Sequence, residues 1–194
     1  LGPEAVRVQA ETFERLVIGQ LRETLGPQAG EDAVEHHLQV LADKTGSLIA
    51  AAGRYGAMMA GVNPEVTDAI ADFGESIGIA FQLSDDLLDI ESNVSGKTPG
   101  TDLREGIKTL PVLLALADPD TPAWLRELLS GPLPDDEQHA RALMGMREHP
   151  AMDQARAVLA QWTDRARSQL DALPVGQAKL ALTALCDSVE HRAV

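Results

Sequence analysis

Cysteine is almost missing from this chain. The single Cys186 excludes an intrachain disulfide and fits a reducing, cytoplasmic compartment. No motif surrounds it, so a small core side chain is expected there rather than a nucleophile. Long apolar runs are missing too. Nothing approaches the roughly 18 consecutive apolar residues of a membrane-spanning helix, so no transmembrane segment is expected. Residues 1–14 mix charges with apolar side chains, unlike a secretory leader. No methionine opens the chain, and a mature, trimmed or partial chain is expected. Positive charge is scarce: 16 Lys and Arg face 30 Asp and Glu, a formal charge of −14. Such a surface repels nucleic acid, which is excluded as a partner. Any phosphate ester would then have to be bound through a few local Lys or Arg residues or through bridging cations. No stretch of useful length alternates apolar and polar residues as a strand does, and there is no internal repeat or low-complexity tract.

What is present is helical. With 194 residues, 44% of them apolar, the chain can bury one core. Val6, Ala10, Phe13, Val17 and Leu21 recur at helical spacing and predict a helix over 3–25. Asp32, with Glu35 three residues on, predicts a capped start for a second helix over 32–60. A third is predicted over 64–91. Residues 92–103, rich in Ser, Gly, Pro and Asn, read as a loop. Thr109 is expected to cap a helix that carries Pro111 in its first turn and ends near 117. Further helices are expected at 122–130, 135–148, 151–172 and 177–192. All eleven prolines fall at helix edges or in linkers, where they cost least. The fold class is all-α. The expected organisation is 1–118 as core helices and 119–194 as C-terminal helices of the same domain. Gly46, Gly53, Gly56, Gly74 and Gly78, each costly inside a helix by about 1 kcal/mol, predict close helix–helix packing. His36-His37, without a partner histidine on one face, read as surface residues.

The segment with most chemistry is Phe81-Gln82-Leu83-Ser84-Asp85-Asp86-Leu87-Leu88-Asp89-Ile90. On a helix, Asp85 and Asp89 lie four apart on one face, with Asp86 beside them and Gln82 a turn earlier. Their neighbours are apolar, and from Tyr55 to Gly96 there is no Lys or Arg. A partly buried carboxylate trio without a basic partner should hold either protons or a metal. Carboxylate oxygens alone favour a hard cation such as Mg²⁺. Directly afterwards come Lys97, Arg104 and Lys108, in a glycine-containing segment able to fold over an anion. Mg²⁺ shared between carboxylates and a diphosphate, with a lysine closing the other side, would let so acidic a protein bind a phosphate ester.

These residues carry a resemblance. FQLSDDLLDI, then GKTPGTDLREG, then TLP, resembles the second aspartate-rich region of trans-isoprenyl diphosphate synthases, in wording closest to the long-chain type. Lys44-Thr45-Gly46 resembles that family's KT motif, and Gly19-Gln20 with Glu23 its GQ-x-x-D/E motif. The resemblance implies a helical bundle of the isoprenoid synthase type, here lacking its N-terminal helices. It implies condensation of an allylic prenyl diphosphate with isopentenyl diphosphate, assisted by Mg²⁺, and a homodimer. By position it implies Asp85, Asp86 and Asp89 as Mg²⁺ ligands and Lys44 and Lys97 as contacts to the allylic diphosphate. Thr45 and Gln82 would stabilise developing positive charge, and Gln20 and Glu23 would line the same cavity. Where many members have Lys after the Glu-Gly pair, this chain has Ile107, with Lys108 next. No other Asp-Asp-x-x-Asp occurs, and the Arg pair and Gly-Lys motif that hold isopentenyl diphosphate are missing. The chain therefore carries half a catalytic site, and no turnover is expected from it alone. Two other readings remain. A non-catalytic subunit or scaffold of a heteromeric synthase fits the missing first cluster. A class I terpene cyclase fits the aspartates but not Lys44-Thr45, Lys97 or the TLP segment.

Overall fold

The computed structural model describes residues 2–91 and 99–192. Among them there is no strand. Ten α-helices follow in order: α1 (Gly2–Leu25), α2 (Ala33–Leu41), α3 (Ser47–Ala60), α4 (Pro64–Glu91), α5 (Thr101–Glu105), α6 (Leu110–Ala117), α7 (Ala123–Leu128), α8 (Asp136–Arg147), α9 (Ala151–Gln169) and α10 (Gln177–His191). The all-α expectation and most helix bounds agree with this.

The local causes are those of the sequence, with four differences. Asp32 does cap α2, its side chain accepting the Val34 and Glu35 N–H groups. Gly61 ends α3 in the left-handed region at φ 67°, where a side chain would be strained. The helix expected over 32–60 is interrupted by a π-helical turn, Ala42–Gly46. Part of the expected 92–103 loop is the short helix α5. Thr109 stands at the start of α6 without a side-chain cap. At the expected start of the 135–148 helix, Asp135 caps α8 by accepting the Gln138 N–H. His36 also departs from expectation: it is buried, with Nε2 3.2 Å from the Arg22 carbonyl.

The chain groups into two compact units, Leu1–Gln82 with Ala160–His191, and Leu83–Leu159 with Arg192–Val194. In the first, Val8, Val40, Phe73, Ile77, Ile79, Leu170, Cys186 and Val189 are buried. The small residues let α4 approach the preceding helix closely. A Cβ at Gly74 would meet the Ala50 backbone at 2.8 Å, and one at Gly78 would meet the Gly46 Cα at 2.9 Å. In the second unit, Leu83, Leu87, Ile90, Leu103, Leu110, Leu125, Met146 and Leu159 are buried.

The glycines divide by what surrounds them. Gly74→Ala should destabilise by about 1–3 kcal/mol, because its methyl group meets backbone that cannot turn aside. Gly56→Ala, in open space, should stabilise by up to about 1 kcal/mol through helix propensity. Urea midpoints of the two variants moving in the same direction would contradict the packing account.

Candidate functional site

In the first unit the site begins at the π turn. Its wider ring is closed by the Ser47 N–H on the Ala42 carbonyl, and such turns often occur where function is placed. Side chains add further donors to the carbonyls of the turn. Arg15 Nη2 donates to Ala42 O at 3.2 Å and Ser47 Oγ to Asp43 O at 2.6 Å. Asp43, with 6% of its side chain exposed, accepts from Arg15 Nε at 3.0 Å and Arg22 Nη1 at 3.1 Å. Arg15 also reaches Glu75 at 2.6 Å. A carboxylate so buried requires such partners, and they hold α1, the π turn and α4 together.

This scaffold presents the predicted residues. Lys44 Nζ lies 2.5 Å from Glu23 Oε2, and Gln20 Nε2 donates to the same oxygen at 3.0 Å. The structure thus joins Gln20, Glu23 and Lys44. Gly19 makes that possible, since a Cβ there would meet Asp43 Cβ at 2.8 Å and Lys44 Cγ at 3.0 Å. Thr45 Oγ1 donates to Gln82 Oε1 at 3.3 Å. A cleft of about 130 Å³ lies nearby, lined among others by Arg15, Arg54, Asp72 and Glu75. None of the predicted residues lines it.

In the second unit the three aspartates lie on the last turns of α4, and each is directed to a different partner. Asp85 Oδ1 is 3.0 Å from Arg192 Nη2, with 43% of its side chain exposed. Asp86 is buried and accepts the Leu110 N–H at 3.3 Å. Asp89 accepts the Thr101 and Asp102 N–H groups at 3.0 and 3.1 Å, one on each oxygen. Burial pushes the Asp89 carboxyl above the ordinary aspartate range, and the Asp102 and Thr101 N–H donors pull it only part of the way back. The end of α4 is itself held by arginines: Arg147 Nε donates to Ile90 O at 2.7 Å and Arg156 pairs with Glu91. Cations at a helix C-terminus stabilise its last carbonyls.

One expectation is corrected here. The trio was expected to lack a basic partner, yet Arg192 reaches Asp85 from 107 residues away. Among the described residues no three His, Cys, Asp or Glu groups are drawn together as they would be around a bound metal. The donor chemistry still fits Mg²⁺, which takes one or two carboxylates together with phosphate oxygens and waters. Lys97 lies outside the described residues. Lys108 is exposed. Sequence reasoning missed Asp43, Arg15 and Arg22. The signal for Asp43 was an acidic residue on the apolar face of a helix, one position before the lysine. For Arg192 there was no local signal, because long-range pairing leaves none.

The described residues form helices alone, and solved structures place that fold in the isoprenoid-synthase class. A geranylgeranyl pyrophosphate synthase from Corynebacterium glutamicum, complexed with calcium and isoprenyl diphosphate, superposes with a TM-score of 0.91 at 43% identity, covering 100% of this chain and 61% of that one. A polyprenyl synthase from Caulobacter crescentus, likewise complexed with calcium and isoprenyl diphosphate, gives 0.87 at 29% identity over 100% of this chain and 60% of that one. Residues 2–146 match the polyprenyl synthetase family, and the chain belongs to it. It is 49% identical to a nonaprenyl diphosphate synthase of Mycobacterium tuberculosis, over 99% of this chain and 58% of that protein. It is 43% identical to a dimethylallyltranstransferase of the same organism, over 96% and 57%. The chain thus spans about three-fifths of the length of these relatives.

The aspartates should separate in their effect on stability. Asp89→Asn removes one acceptor and turns an N–H₂ group toward backbone N–H, costing about 1–3 kcal/mol. Asp85→Asn gives up only a half-exposed ion pair, costing about 0–1 kcal/mol. Chemical denaturation of both variants tests this, and a larger loss at Asp85 would contradict the assignment.

Proposed function

We propose that this chain contributes the second aspartate region and the Lys-Thr pair of a trans-polyprenyl diphosphate synthase. The reaction is the condensation of an allylic prenyl diphosphate with isopentenyl diphosphate to a linear polyprenyl diphosphate. The observation that carries this reading is the end of α4. Asp86 and Asp89 are held by backbone donors, while Asp85 meets solvent through an exchangeable ion pair. Asp85 is the carboxylate best able to offer an oxygen to Mg²⁺, with Asp86 and Asp89 beside it. When bound, Mg²⁺ neutralises the diphosphate so that it can leave as an anion. Lys44 is proposed as a contact to that diphosphate, with Glu23 and Gln20 fixing its ammonium group. Thr45 and Gln82, joined by a hydrogen bond, would turn their oxygens toward developing positive charge. Lys97 and Lys108 are further proposed anion contacts. The two solved relatives complexed with a divalent cation and an isoprenyl diphosphate support the ligand class. Among the described residues no helix is long and apolar enough to cross a membrane. We place the protein in the cytoplasm on its single cysteine.

Self-association is part of the proposal. Val6, Phe13, Val17 and Leu21 of α1 are 69%, 63%, 43% and 56% exposed. The periodic stripe that predicted the helix is therefore turned outward. An apolar face of this length calls for a partner, and we propose a second copy of the chain.

Titration calorimetry should show Mg²⁺-dependent binding of inorganic pyrophosphate by the 194-residue chain. Replacing Asp85, Asp86 and Asp89 together by asparagine should weaken it at least about tenfold, or about 1.4 kcal/mol. Affinity that survives the triple replacement would remove the basis of the reading. The same chain, with no other Asp-Asp-x-x-Asp, should give no elongated product by itself.

The α1 stripe is tested by size. Phe13→Glu should lower the molar mass seen by light scattering from that of a dimer to that of a monomer, with helicity retained. An unchanged mass would refute the proposed interface.

A further inference from the structure

The geometry points to His139 of α8 as a positioning residue that fixes Asp89 by way of Gly100. The inference rests on the metal–diphosphate reading above. His139 is buried, and its two ring nitrogens meet groups of opposite character. Nε2 lies 2.7 Å from the Gly100 carbonyl, which can only accept, and Nδ1 lies 3.3 Å from Arg104 Nη2, which can only donate. A neutral ring with its proton on Nε2 satisfies both contacts. Arg104 is itself held by Asp136 at 2.8 Å and by the Pro134 carbonyl at 3.4 Å. The ring therefore rests on a fixed support.

Gly100 is the point where this support meets the aspartate helix. Its N–H donates to the Asp89 carbonyl at 2.6 Å. Its carbonyl faces His139, and the next two N–H groups, of Thr101 and Asp102, hold the Asp89 carboxylate. Gly100 has φ +71°, and a Cβ there would lie 2.7 Å from His139 Nε2 and 3.1 Å from Leu143 Cδ1. The backbone is thus clamped between the Asp89 carbonyl on one side and the imidazole on the other. Two N–H groups aim at a carboxylate only while the backbone before them keeps its orientation, and His139 holds that orientation together with the Arg104 N–H, which donates to the same Gly100 carbonyl at 2.9 Å. Removing the ring's donor leaves the Gly100 carbonyl with the Arg104 N–H alone and loosens the hold on Thr101 and Asp102. Asp89 then loses its fixed direction beside Asp85. His139 touches no proposed substrate atom, so its role is positioning rather than catalysis. Neither its helix nor its sequence neighbours marked it out.

The test uses the 194-residue chain with His139→Leu, His139→Gln and Gly100→Ala. Glutamine places an amide N–H near the Nε2 position and leucine places none. Gly100→Ala pushes on the same contact from the loop side. Amide hydrogen exchange at Thr101 and Asp102 should rise at least about tenfold in His139→Leu and Gly100→Ala. It should return toward the parent value in His139→Gln, with protection in α9 unchanged throughout. Mg²⁺-dependent affinity for inorganic pyrophosphate should fall about threefold or more in the first two variants and recover in the third. Unchanged exchange in His139→Leu overturns the proposal while leaving the aspartate reading intact. Raised exchange with unchanged affinity overturns it as well, leaving His139 a purely structural latch. A parent chain that binds no pyrophosphate with Mg²⁺ overturns the aspartate reading and the ligand half of this proposal together. The exchange arm then reports the clamp alone.

Discussion

A helix that carries acid through an apolar interior must have every buried charge answered from elsewhere in the chain, since an unpaired carboxylate away from water costs several kcal/mol. α4 is such a helix. It contains no Lys or Arg of its own, and the fold around it is arranged to supply the missing partners. Arginines meet its part-exposed acids: Arg15 reaches Glu75, Arg156 reaches Glu91, and Arg192 reaches Asp85. At the buried Asp86 and the half-buried Asp89, backbone donors serve instead: Leu110 for Asp86, Thr101 and Asp102 for Asp89. The short helix α5 and the start of α6 are therefore tied to α4 by electrostatic need as much as by apolar burial.

Close approach is the second constraint, and it acts at the other end of the same helix. Gly74 and Gly78 bring α4 within contact of the backbone around Gly46 and Ala50. That proximity is what allows a side chain as short as threonine to reach Gln82 from the π turn. Arg15 and Ser47 add donors to the carbonyls of the turn, and the pair formed by Arg15 and Arg22 on Asp43 fixes the position just before Lys44. The lysine is thus presented from a rigid base, with Glu23 and Gln20 limiting where its ammonium can go.

The sequence made the helices legible because their signals are local: apolar spacing in α1 and α4, Asp32 before α2, glycine and proline at the breaks. It also made the site's residue types legible, since acidic, cation-free stretches and Lys-Thr pairs are visible without coordinates. Three things were hidden for physical reasons. The π turn depends in part on Arg15, which comes from α1 and so lies outside any window around Lys44. α5 is held by the Asp89 carboxylate twelve residues earlier, and its own composition reads as loop. Arg192 answers Asp85 across most of the chain, and counting nearby charges could not reveal it. The α1 stripe teaches the opposite lesson. Its periodicity identified a helix correctly, but periodicity cannot say whether an apolar face meets the chain's own core or something else.

The three aspartates were read as equals, and their surroundings argue that they are not. A hard divalent cation needs few protein oxygens when a diphosphate supplies the others, so a site of this kind does not require three free carboxylates. It requires at least one that can exchange its partner at little cost, and neighbours that keep that one in place. Asp85 meets the first requirement. Its ion pair is half-exposed, and such pairs contribute only about 0–1 kcal/mol, little enough for a metal-bound anion to displace. Asp86 and Asp89 meet the second, because each is bound to backbone that would have to move before its carboxylate could turn. On this account a chain of formal charge −14 need not be covered with cations to take a phosphate ester. It has only to leave one carboxylate loosely held among others that are firmly held, and let the cation bring the phosphate to it.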